Sequence, residues 1–289
     1  MNIDRSICCS IRSTIRDEAT IKRVFLYVYL TFGAATVLLP YWWMLSTSLK
    51  HPPELFQIGI NFLPSDPTLD NYTKILNGFP IIRWIYNSFI ICTLVLATNM
   101  TLTVAAGYSF ARLRFWGRDS LFFIYLGAMM VPLQVRFIPT FLIVLDLGWM
   151  NTYQGIASLL LIDFFGIFLI RQFMLNLPVE LEDAARIDGC GWFQILWRVI
   201  IPNCRPALAT LGILIFNAAW NDFMWPLIVI NDMDIMTAQV GLAVIRGSAA
   251  SISGGLMAAT TITALPVLII YITLQKSFKP TLMMTGTKS

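Results

Sequence analysis

Six apolar stretches, each long enough to cross a lipid bilayer, constrain this chain more than any other feature. They run at about 24–47, 84–110, 119–145, 153–175, 207–230 and 256–275 of its 289 residues. A tilted helix needs roughly 20 such residues to span the hydrocarbon layer. Only 12% of the residues are charged, about half the share of an ordinary soluble domain, so the chain needs a non-aqueous solvent. Pro40, Pro132, Pro139 and Pro266 lie inside these stretches, where neighbouring helices can re-satisfy the backbone. The expected fold is an all-α integral membrane protein of six transmembrane helices.

The basic residues orient it. With the N-terminus placed in the cytoplasm, fifteen of the twenty Lys and Arg residues fall on the cytoplasmic side, four fall outside and Arg136 lies within a span. That bias puts both termini in the cytoplasm. The chain then divides into a cytoplasmic segment at 1–23, a six-span domain at 24–276 and a cytoplasmic tail at 277–289. Trp42, Trp43, Trp84, Tyr86, Trp149 and Tyr153 fall toward the outer ends of the first four spans, and Trp116 and Trp192 toward the inner side, as two aromatic belts require. The five cysteines have neither zinc spacing nor a secreted disulfide pattern.

The longest internal cytoplasmic segment, 176–206, is charged at its start and amphipathic afterwards. Pro178 suits a helix N-terminus, and Glu180, Glu182 and Asp183 complement the dipole of the first turns. Leu181, Ala184 and Ala185 share a face, Gly189 ends the helix, and a second short helix carries the stripe Phe193, Leu196, Val199 and Ile200 before Pro202 stops it. The segment is a helix–Gly–helix projection at the membrane surface. From composition alone it is either a docking element or an amphipathic connector lying on lipid headgroups.

ELEDAARIDG, followed thirteen residues after its Gly by Pro202, resembles the EAA loop of ABC importer permeases. LLPYWWMLSTSLK at 38–50, PTLDNY at 67–72, RWIYNS at 83–88, GIFLIRQF at 166–173 and WNDFMWPL at 220–227 are similar to carbohydrate-importer permeases of the MalG/UgpE type. The resemblance covers nearly the whole chain and implies a bacterial inner-membrane permease subunit that is not itself an enzyme. Its expected partners are a second homologous permease, an ATPase dimer and an extracytoplasmic solute-binding protein, with lipid around it and no nucleic acid. ATP and Mg would be bound by the partner ATPase, and this chain would bind no cofactor or metal. The loop would be a cytoplasmic coupling helix, with Glu182, Asp183, Ala184, Ala185, Asp188 and Gly189 facing the ATPase. Asp183 stands where the family usually has Glu, and Cys190 where it often has Ala. The tail PTLMMTGTKS also departs from the family's ending.

A charge inside a span costs roughly 2.5–3.5 kcal/mol on insertion scales and so marks a functional candidate. Arg136 and Asp163 lie within about one helical turn of the same depth. They either pair to lock two helices together, or Arg136 faces a translocation cavity and attracts an anionic or phosphorylated solute. Asn217, Asn221 and Asp222 share one face of the fifth span and, with Trp220 and Trp225, suggest either a sugar-binding face or an interhelical hydrogen-bond seam. The solute class is then an oligosaccharide or a glycerophosphate-type anion. A competing class is an ion-coupled secondary transporter with Arg136, Asp163 and Asp222 as its relay; it predicts inverted repeats, which are not visible. No G-x-x-x-x-G-K-[ST] sequence occurs, so ATP would be bound elsewhere.

Overall fold

The computed structural model describes residues 3–55, 61–248 and 254–274, with side chains from Lys22 onward. Among them there are helices and no strands. The tail at 277–289 lies outside the described residues.

Three helices are individually long and apolar enough to cross a membrane: Lys22–Ser48, which is the latter part of α1 (Ile3–Ser48), α3 (Ile81–Arg112), and Gly255–Thr273 of α13 (Gly255–Leu274). Between α1 and α3 lies the short α2 (Asp70–Gly78). α3 has no proline and runs unbroken for 32 residues, about 48 Å at the α-helical rise. It is the post of the fold, packing against α7 (Phe164–Leu175) and α10 (Arg205–Trp220).

The remaining apolar stretches are bent. α4 (Arg118–Met129) and α5 (Leu133–Asp146) meet at 97°, α6 (Tyr153–Leu160) and α7 at 52°, and α9 (Trp192–Asn203) and α10 at 81°. Each break has a local cause. Pro132 is extended, with φ −56° and ψ 141°, and a proline cannot continue the hydrogen-bond ladder of α4. Asp163 is extended as well, and its carboxylate caps α7 by accepting the backbone N–H groups of Phe165 and Gly166 at 3.1 and 3.0 Å. Pro202 does not stop α9, contrary to its expected role. The helix widens into a π-turn at Leu196–Ile200, where Ile201 donates to the Leu196 carbonyl, and the chain turns at Cys204.

The expected fifth span, 207–230, also divides differently. α10 ends at Trp220, a short α11 (Met224–Val229) follows, and α12 (Ala238–Arg246) packs back on α3. The Asn221 amide folds back onto the Asn217 carbonyl, and Pro226 has no N–H with which to bond residue 222, so the helix ends there.

One end of the bundle is stapled by polar groups on α3. Trp84 donates to the Met233 carbonyl and Asn87 to those of Asp234 and Met236, while Tyr153 donates to Asn87 Oδ1. Asn87, Ser88, Asn99 and Thr103 are all buried and all hydrogen-bonded, as groups withdrawn from water must be. Two glycines permit the close approaches. A Cβ on Gly155 would lie 2.2 Å from the Trp149 carbonyl oxygen, and one on Gly241 would lie 2.0 Å from the Trp84 ring. Gly155→Ala must displace backbone and should lower stability by about 1–3 kcal/mol. A melting curve of the purified membrane protein would show it; an unchanged midpoint would contradict this packing.

Candidate functional site

At the opposite end of α3, the segment after α7 forms α8 (Glu180–Ile187), a tight turn, and α9. The turn is a Schellman closure: Gly189 has φ +81°, its N–H bonds to the Arg186 carbonyl and that of Cys190 to the Ala185 carbonyl. At the next turn the Gly191 N–H donates to Gln194 Oε1 at 3.0 Å, starting α9. The helix–Gly–helix reading of this segment matches the structure.

The structure sorts the predicted coupling residues onto two faces. Asp183, Ala184, Asp188 and Gly189 point outward, whereas Glu182 and Ala185 point inward. Glu182 is the correction: at 1% exposure it cannot touch a partner protein. Its carboxylate pairs with Arg112 at the end of α3, 2.8 Å away, and with Arg186 at 3.6 Å. Arg112 also donates to the Met174 and Leu177 carbonyls at the end of α7. A single buried ion pair therefore ties the projection to two spans. Leu181 is exposed with Ala184, whereas Ala185 is buried with Glu182, so the three do not share one face.

Arg112 and Ile187 were not singled out from sequence. Ile187 is 87% exposed at the projection's tip. The periodicity of α8 carried that signal. Arg112 looked like one more loop arginine. On α9 the buried residues are Ile195, Leu196 and Ile200, while Phe193 is 74% exposed against Trp197, so the predicted stripe is displaced.

The second region lies within the bundle. Breaks in the α4–α5 and α6–α7 pairs open onto a cavity of about 480 Å³, walled partly by Leu214, Ile215 and Ala218 of α10. Arg136 and Asp163 both line it, so the depth argument brought the right pair together. They are not an ion pair within 4 Å among the described residues. Arg136 instead sits 5.4 Å from the Phe164 ring.

The fifth-span candidates separate. Asn217 and Asn221 are exposed and joined through Asn221 Nδ2 to Asn217 Oδ1 at 2.9 Å, with Asp222 partly buried beside them. Trp220 and Trp225 are not part of an exposed face. They are 1% and 0% exposed, Trp220 stacking on Phe216 and Trp225 donating its indole N–H to the Gly155 carbonyl. Burial of their large apolar rings outweighs any platform role. Asp222 does not line the Arg136 cavity, so the three charges of the relay reading do not converge.

Comparison with known proteins places this geometry. The family described as binding-protein-dependent transport system inner membrane component matches residues 103–283. The arabinooligosaccharides transport system permease protein AraQ of Bacillus subtilis is 32% identical over 275 residues, covering 94% of this chain and 98% of that protein. The sn-glycerol-3-phosphate transport system permease protein UgpE of Yersinia enterocolitica is 27% identical over 263 residues, covering 88% of this chain and 94% of its own length. Among solved structures, a chain of a bacterial ABC transporter involved in the import of the acidic polysaccharide alginate superposes with a TM-score of 0.78 at 26% identity, covering 90% of this chain and 97% of that one.

Proposed function

The chain belongs to the binding-protein-dependent transport system inner membrane components, and from that premise we propose that it is one of two permease subunits of an ABC importer for a sugar or sugar-like solute. The bent helix pairs count as one span each, giving six spans with both termini in the cytoplasm. A binding protein delivers solute at the end of the bundle that carries residues 61–80. An ATPase dimer, holding ATP and Mg, docks on the α8 projection at the other end.

The observation that carries this reading is the projection itself: an outward face of Asp183, Ala184, Asp188 and bare Ile187 on a stalk anchored by Arg112 and Glu182. The small Ala184 lets another surface approach, and Ile187 supplies an apolar anchor. Closure of the ATPase dimer would pull α8, and the buried ion pair would pass that displacement to the ends of α3 and α7. The permease pair would then alternate between inward- and outward-facing states, a rigid-body switch driven by differential binding.

Purification of the tagged chain from its native membrane should bring down a stoichiometric ATPase and a second permease, and proteoliposomes of that assembly should take up solute only with ATP. Uptake by this chain without an ATPase would refute the proposal. Topology has its own test. In a background lacking the native cysteines, Leu63→Cys should react with an impermeant thiol reagent from outside the cell and Trp116→Cys only after permeabilisation. These positions are 64% and 98% exposed, so access to reagent depends only on the side of the membrane.

A further inference from the structure

Resting on the permease reading, we infer that the cavity at the breaks of α4–α5 and α6–α7 is a transit site for an acidic saccharide or sugar phosphate, with Arg136 as the group that receives its oxyanion. Arg136 carries a planar guanidinium whose fork of N–H donors matches a carboxylate or phosphate. It makes no hydrogen bond or ion pair within the chain among the described residues, and its Nε is buried without an acceptor. Its guanidinium lies 5.4 Å from the Phe164 ring. A buried donor of this kind is normally satisfied.

Asp163, the nearby carboxylate, does not fill the role. Both of its oxygens already accept N–H groups at the head of α7, which directs its charge to the positive end of a helix. Helix formation thus turns both carboxylate oxygens toward α7 and leaves Arg136 Nε without an acceptor. The cavity of about 480 Å³ falls within the range of small-molecule sites. Its walls supply what an acidic sugar needs: a guanidinium fork for a carboxylate or phosphate, and the Phe164 and Phe165 rings for the apolar face of a pyranose. A neutral sugar would leave the Arg136 donors unpaired.

The test uses the complete importer in proteoliposomes and three probes: a hexuronate trisaccharide, a glycerophosphodiester and a neutral hexose trisaccharide. ATP-driven uptake of an acidic probe is expected, and which of the two is carried identifies the oxyanion. Arg136→Gln should lower that uptake by about thirtyfold or more, as loss of one partner from a buried charge pair does, and leave any neutral uptake within about twofold. Arg136→Lys, which keeps the charge but not the fork, should raise the KM for the acidic probe with a smaller loss in rate. Transport of the neutral probe alone, or unchanged acidic transport in both variants, would overturn the inference while leaving the permease reading intact. An intact assembly that moves none of the probes with ATP would overturn both.

Discussion

Gly189→Pro should abolish solute uptake while leaving the chain in the membrane at its normal level. Gly189 closes α8 at φ +81°, and proline is locked near −65°, so the substitution reverses the direction in which the chain leaves the helix. It also removes the N–H that bonds to the Arg186 carbonyl. A Cβ at this position meets nothing within 4 Å, so no buried packing is disturbed and membrane insertion has no reason to suffer. The effect is a misdirected tip: Ile187 and Asp188 no longer present one surface with Asp183 and Ala184. Gly189→Ala pays only the left-handed strain, about 1–2 kcal/mol, and should retain part of the transport. ATP-dependent uptake, normalised to the amount of assembled complex, is the measurement. Normal uptake by the proline variant would remove the projection from the mechanism.

Glu182→Ala should be the most destabilising single change at the end of the bundle that carries α8. The Arg112–Glu182 contact is 2.8 Å, with side chains 8% and 1% exposed. Deleting one member leaves a buried charge without its counterion, at a cost of about 3–5 kcal/mol. Arg112→Ala should be comparable, because it also strips donors from the Met174 and Leu177 carbonyls. Replacing both by alanine should cost far less than the two single losses summed, since neither charge is then stranded. Thermal melting of the four proteins in detergent gives the cycle. Additive losses in the double variant would mean that the pair is not a unit, and an unchanged melt for Glu182→Ala would dispose of the anchor altogether. Glu182→Gln separates anchoring from force transfer. It keeps the shape, and a variant that holds the assembly together but hydrolyses ATP with reduced transport marks Glu182 as a positioning residue for coupling.

Much of this was legible in the order of residues. The Gly189 turn, the helix before it and the pairing in depth of Arg136 with Asp163 follow from local rules: a left-handed cap needs glycine, and a fixed rise per residue sets depth. Glu182 and Trp220 show where local rules stop. Glu182 is expected to face a partner through the family resemblance, and Trp220 to lie on a sugar-binding face or in a helix seam, yet Glu182 meets Arg112 from seventy positions earlier in the chain, and Trp220 meets Phe89 from the same distant helix. A helical pattern defines which residues share a face. It does not say which face a neighbouring helix will cover.

The breaks in the spans make the same point. Pro132 is legible inside an expected span, but whether it becomes a kink, a cavity wall or the start of a new helix depends on what satisfies the freed backbone groups. Asp163 does this for α7 with its own carboxylate, and Arg136 Nε beside it is left without an acceptor. From sequence the two charges were equally free to pair or to part.

Apolar length, glycine and proline placement and the bias of basic residues are properties of the chain itself, and they determined the class of protein, its membrane setting and the position of its helix–Gly–helix projection. Which charges pair, which aromatic rings are buried and where a cavity opens were decided only by the tertiary structure. Those outcomes depend on contacts between residues far apart in the chain, and no local spacing encodes the packing that brings them together.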